Sequence, residues 1–194
     1  MQLSDVDIKK ALENGEIVIS DFDEKRLQPA SYDVLLGNEF MVFKTHKLGS
    51  IDPRKSVSEH MYKIKLNSPD DYFTIHPNEF VLAVTKDRFG SLANHAVQLM
   101  GKSSLARLGL IVHTTAGFID PGNVLNVTLE LVNVNNVAIQ LYPGMKIGQI
   151  AFYELKTPPS KTYGHADLNS KYHQATSVQA SEMWKNFDEN GNPI

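Results

Sequence analysis

Between Gly101 and Glu130 the chain concentrates cations, hydroxyls, glycines and two acids in one short span. Lys102, Ser103, Ser104 and Arg107 read as an anion cradle. Backbone N–H groups at a helix start favour an anion, and neighbouring Lys and Arg add charge. Asp120 lies in Asp120-Pro121-Gly122, a tight-turn signal. Glu130 lies inside an alternating, strand-like run. A carboxylate shielded from water there holds its proton more readily and can shuttle it.

Each group also has a plainer reading. Gly101-Lys102-Ser103-Ser104 looks like the end of a Walker A loop, but Ala96 stands where its first glycine is required. On spacing alone the segment fits a capped surface helix as well as a phosphate site. Asp120 alone reads as a turn residue; the alternative is a carboxylate that binds a sugar hydroxyl or orients a water. Glu130 reads as solvent-facing unless its face is covered, for example by another subunit. No His-x-x-x-His or His-x-His pair occurs, so a protein-ligated metal is not expected. His113, in an apolar stretch, reads as a core histidine. Ser103 and Ser104 lack a Gly-x-Ser-x-Gly context, which argues against a serine hydrolase.

Composition narrows the classes further. The 194 residues suit one domain, and 42% hydrophobic residues suffice for a core. A net charge of −3 gives no general attraction for nucleic acid. No apolar run approaches a membrane span, and Met1–Asp5 lacks a signal-peptide pattern, so a cytoplasmic protein is expected. With no cysteine, disulfides, thiol nucleophiles and thiolate metal sites are excluded. So are the zinc nucleobase deaminases, which need Pro-Cys-x-x-Cys.

These residues need a scaffold, and the pattern predicts a mostly β one. Residues 4–14 read as a helix with Ser4 as N-cap, Asp7 completing a capping box and Gly15 ending it. Short strands are predicted over Glu16–Ser20, Ser31–Leu36, Glu39–Phe43, Tyr62–Leu66, Tyr72–Ile75, Glu79–Lys86 and His95–Met100, with Gly37-Asn38 as a break. Residues 44–61 read as a surface loop. Ser103–Leu108 is expected to form helical turns ended by Gly109, and Leu110–His113 a buried strand. Leu125, Val127, Leu129 and Leu131 alternate with Asn126, Thr128, Glu130 and Val132. Val137–Leu141 and Ile147–Leu155 complete an all-β barrel or sandwich. Residues 156–194 read as a C-terminal arm that orders on a ligand or neighbour, appended to a barrel spanning 1–155.

Longer matches are specific enough to suggest a family. They include Leu3-Ser4-Asp5, Gln28-Pro29-Ala30-Ser31-Tyr32-Asp33-Val34, His76-Pro77, Glu79-Phe80, Gly101–Gly122, Thr128-Leu129-Glu130, Pro143-Gly144-Met145, Ile147-Gly148-Gln149, Tyr163-Gly164 and Ser170-Lys171-Tyr172. On these the chain resembles the dCTP deaminases of the dUTPase-like superfamily. The resemblance implies a distorted β-barrel, or jelly roll, assembled as a homotrimer with active sites between subunits. It implies that Glu130 activates water for attack on C4 of cytosine, with Ser103 and Arg107 positioning it. Lys102, Ser104, Leu105, Ala106, Thr128, Leu129, Gln149, Tyr163, Lys171 and Gln174 match substrate-binding positions. Asp120 matches the carboxylate under the deoxyribose 3′-hydroxyl. Mg²⁺ would enter with the triphosphate, zinc would not be used, and dTTP is a possible inhibitor.

Some members stop at dUTP, whereas others release dUMP and pyrophosphate. Thr115-Ala116-Gly117-Phe118-Ile119-Asp120 resembles the second, bifunctional type, with Gly117 and Phe118 where deaminase-only enzymes tend to have His-Arg. It also echoes the Gly-x-Ile-Asp motif of dUTPases. The expected product is therefore dUMP. Release of dUTP, or a non-catalytic nucleotide sensor on the same fold, are the alternatives. Two departures stand out: Leu125 replaces a usual glycine, and Gln174 lies one place early after Lys171-Tyr172.

Overall fold

A computed structural model describes every residue except Pro69, Thr114 and Thr115. It opens on helix α1 (Asp5–Glu13), closed at its start by the reciprocal Ser4–Asp7 capping box. Ile8 and Ala11 are its buried face. Gly15, at φ 70°, turns the chain into strand β1 (Ile17–Ile19). Then come β2 (Leu27–Gln28), β3 (Ser31–Phe43), β4 (Met61–Lys65), β5 (Phe73–Ile75), β6 (Phe80–Thr85), β7 (Phe89–Ser91) and β8 (His95–Gly101). A single helical turn, α2 (Ser103–Ala106), precedes β9 (Leu110–Val112), β10 (Phe118–Ile119), β11 (Val124–Leu125), β12 (Thr128–Asn133), β13 (Ile139–Leu141) and β14 (Lys146–Glu154).

The pairings are antiparallel and curl into a mostly β architecture. The largest sheet runs β10-β8-β14-β3-β6-β12-β9, with β2 and β4 also on β3. Smaller sheets are β1-β7-β11 and β13-β5. The larger cluster of buried side chains includes Tyr32, Phe40, Phe89, Leu129, Leu131 and Phe152. Burying a leucine such as Leu129 fully stabilises by roughly 1.5–3 kcal/mol.

Two expectations change. Gly37-Asn38 does not break the strand: β3 runs through it, and its pairing with β6 shifts register between Leu36 and Phe40. An irregularity of this kind bends a strand without ending it. Leu110–His113 is not uniformly buried, because Ile111 points outward between buried Leu110 and Val112. The arm packs on its own chain. Val178 and Ala180 pack on Met41, Met61, Leu82 and Val84 of their own barrel. Asn126 N–H donates to Ala175 O at 2.8 Å, and Gln179 N–H donates to Thr128 Oγ1 at 3.2 Å.

Candidate active site

Strand β12 positions the central carboxylate. Its odd side chains are buried and its even ones half-buried, so Thr128 and Glu130 share the face opposite Leu129 and Leu131. Opposite them on β6 stand Val84 and Leu82. Because the arm covers Leu82 and Val84, it also roofs the side of the strand that carries Glu130. Glu130 is 29% exposed, but its Oε2 is out of solvent. Within one chain, the arm covers part of this face.

Beneath this roof is a cavity of about 810 Å³ that brings Glu130, Thr128, Asp120, Phe118 and Tyr163 together. The size is that of a small-molecule site. His113 joins them, with Nδ1 3.1 Å from Glu130 Oε2 and a side chain only 5% exposed. Its backbone adopts φ 68°, a strained conformation for a residue with a Cβ. Its N–H donates to Glu130 O at 3.0 Å, so the backbone also ties the two residues together. Burial alone would push the His113 imidazole down; the neighbouring Glu130 carboxylate prevails and holds it above its ordinary value.

Reading His113 as a satisfied core histidine is therefore incomplete, since its ring faces a carboxylate inside the cavity. A pH dependence follows. A raised histidine contributes stability that is complete below its unfolded value of 6.5 and lost as pH rises through the higher folded value. The thermal-midpoint gap between wild type and His113→Asn is expected to be widest near pH 6 and to narrow towards pH 9. A gap independent of pH would refute the charged pairing.

Gly117 has a backbone reason. A Cβ there would lie 2.3 Å from Leu99 O, and Leu99 N–H donates to Gly117 O at 2.7 Å. Main-chain approach to β8 excludes a side chain at this point. Phe118, 61% exposed, lines the cavity. Thr115, part of the same motif, lies outside the described residues. Leu125, the departure from the usual glycine, is buried and pairs with Phe89.

Other expected residues fall elsewhere. Leu105 is buried in the core, as is Leu129. Lys102, Ser103, Ser104, Ala106, Arg107 and Gln149 do not line the cavity. Ser103, Ser104, Ala106 and Arg107 are exposed, and α2 has Lys102 rather than a serine at its N-cap. Sheet order separates Gln149 on β14 from Glu130 on β12 by β3 and β6. Lys171 is half-buried outside the cavity lining. Gln174 is exposed at φ 55°, and its N–H donates to Asn123 Oδ1 at 3.0 Å. Tyr172, absent from the expected set, lines the cavity; its backbone N–H reaches Tyr163 Oη at 3.3 Å.

A second polar group lies beside the cradle. Asp33, on β3 and only 2% exposed, accepts ion pairs from Lys102 and, at 2.8 Å, from Lys146. Burial alone would raise its carboxyl, but the two ammonium groups hold it below the usual carboxylate range.

The sequence model of the dCTP deaminase-like family matches residues 2–155. The chain belongs to that family. This dCTP deaminase-like protein is 46% identical over 188 residues to the dUMP-forming dCTP deaminase of Corynebacterium jeikeium, covering 96% of this chain and 99% of the relative. It is 43% identical over 187 residues to the dUMP-forming dCTP deaminase of Corynebacterium glutamicum strain R, covering 96% and 98%. The crystal structure of 2′-deoxycytidine 5′-triphosphate deaminase from Agrobacterium tumefaciens superposes with a TM-score of 0.60 at 19% identity. That match covers 78% of this chain and 48% of the Agrobacterium chain, so the family member spans about half that chain's length. At that identity the likeness speaks for the fold alone, a mostly β, antiparallel one. Among the described residues of this dCTP deaminase-like chain, no helix is long and apolar enough to cross a membrane.

Proposed function

We propose that the protein is a dUMP-forming dCTP deaminase, a zinc-independent cytoplasmic hydrolase that takes dCTP to dUMP, ammonia and pyrophosphate. The dUMP would feed dTTP synthesis. The observation that carries this reading is the Glu130 carboxylate with one oxygen withdrawn from solvent, in a cavity it shares with Asp120 and Thr128. Relatives at 43–46% identity bear that name.

Glu130 takes a proton from water as the water oxygen bonds to C4 of cytosine. The proton is returned as the C4–N4 bond breaks, so ammonia departs and a carbonyl remains. General acid–base help of this kind supplies about 10²–10⁴-fold; orientation of the bound nucleotide adds to it. In this reading Asp120, which lines the cavity, holds the sugar hydroxyl and the water that attacks the α-phosphorus as its bond to the pyrophosphate oxygen breaks. Lys102, Ser103, Ser104, Arg107 and Gln149 lie away from the cavity in a single chain, which suits completion of each site by the adjoining subunit of a homotrimer. Among the described residues no cluster of three His, Cys, Asp or Glu could hold an ion. Mg²⁺ would enter on the triphosphate and neutralise phosphate charge.

Incubation with dCTP and Mg²⁺, with the products resolved, tests the reading. Ammonia, dUMP and pyrophosphate in equal amounts are expected. Accumulating dUTP would replace the bifunctional assignment with deamination alone, and no product would overturn the enzymatic one.

A further inference from the structure

We propose that Lys146 is a further phosphate-binding residue of this site, and that Asp33 is a positioning residue that holds Lys146 and Lys102 side by side. The inference rests on the nucleotide reading above and extends it to residues that reading does not use.

The register of β14 carries the case. Lys146 and Gln149 are three apart, so in a regular strand their side chains would point to opposite faces. A bulge intervenes: Lys146 pairs with Leu35 and Gly148 with Val34, two steps on β14 against one on β3. Gln149 then stands opposite Asp33. Leu35 and Asp33 are two apart on β3, so Lys146, Gln149 and Asp33 come to one face. The bulge needs its glycine, because a Cβ on Gly148 would lie 2.8 Å from Met100 O. Gly148 also pairs with Gly101, the residue before Lys102. The bulge therefore re-aims one lysine towards another that the next strand delivers.

Charge points the same way. Asp33 is a nearly buried carboxylate that pairs with two lysines. The cluster carries a net positive charge, and the Lys146 side chain remains 46% exposed. An ammonium has three donors. One from each lysine goes to Asp33, leaving the others for phosphate oxygens. Asp33 fixes two long, flexible side chains before ligand arrives, which lowers the ordering cost of binding.

Lys146→Met keeps the aliphatic stem and removes the charge. It is expected to raise the KM for dCTP about tenfold or more while changing kcat far less. Affinity for dCMP should be nearly unchanged, and Lys146→Arg should recover most of the loss. Asp33→Asn should raise the same KM and steepen its salt dependence, because neither lysine is then held. An unchanged KM in Lys146→Met would overturn the inference, as would equal losses for dCMP and dCTP. Binding of inorganic tripolyphosphate to wild type and Lys146→Met, measured by calorimetry, separates the two levels. If wild type leaves dCTP untouched, the enzymatic reading fails, yet weaker tripolyphosphate binding by Lys146→Met would still sustain the phosphate site. Equal tripolyphosphate binding by both would remove it.

Discussion

Glu130→Gln should lower the rate of ammonia release from dCTP by about 10²–10⁴-fold, with the dissociation constant for a non-hydrolysable dCTP analogue little changed. Glutamine fills the same volume and keeps an acceptor oxygen, but it cannot take a proton from water. The cavity, the arm's cover and the contacts of Thr128 and Asp120 do not depend on the charge. One local consequence is electrostatic. His113 sits against the Glu130 carboxylate and is held above its ordinary value by it. In the variant burial prevails, so the imidazole should titrate below wild type, as proton NMR of the ring would record. Turnover near the wild-type rate would remove Glu130 from the chemistry. Loss of both turnover and analogue binding would recast it as a binding residue.

How far these features could be read in advance differs by element. Local patterns were informative: Ser4 and Asp7 form the cap that their spacing implies, and the leucines of β12 turn inward as their alternation requires. What depends on register was not. His113 reaches Glu130 because β9 pairs with β12 and the chain then adopts a left-handed backbone at residue 113. No property of the local sequence encodes that meeting. The continuity of β3 through Gly37-Asn38 was hidden by residues that usually end strands, and β7 is a Phe-Gly-Ser segment with almost no strand signal. The arm was visible as a change in composition. Its docking partners were not, because Val178 meets Met41, Met61, Leu82 and Val84, which are distant in the chain. The cradle illustrates the same limit. Lys102, Ser103, Ser104 and Arg107 share one stretch of sequence with Glu130, yet they do not line its cavity within one chain.

Asp87→Ala should cost about 3–5 kcal/mol of stability, a fall in thermal midpoint of roughly 6–20 °C for a chain of this size. Asp87 and Arg26 are both buried and form an ion pair. Arg26 also donates to Asp21 O at 2.7 Å, and its guanidinium lies 4.7 Å over the Tyr32 ring. Removing the carboxylate strands this guanidinium in a site that water does not reach. Arg26→Met added to Asp87→Ala removes the stranded charge while keeping much of the stem, so the double variant should regain most of the loss. Protomer concentration must be matched, because assembly would shift the apparent midpoint. A single variant within about 1 kcal/mol of wild type, far below the range for breaking a buried pair, would show that the pair is not worth its burial. The effect should also reach Glu130. Thr85 Oγ1 donates to Asp87 O at 2.9 Å and accepts from Val127 N–H at 2.9 Å. Asn126 Nδ2 donates to Thr85 O at 2.9 Å. This chain of contacts delivers β12 into register beside β6, so loosening Asp87 loosens the strand that aims the carboxylate. Asp87→Ala should therefore lose activity at temperatures where far-UV circular dichroism still reports a folded sheet, and the double variant should recover it.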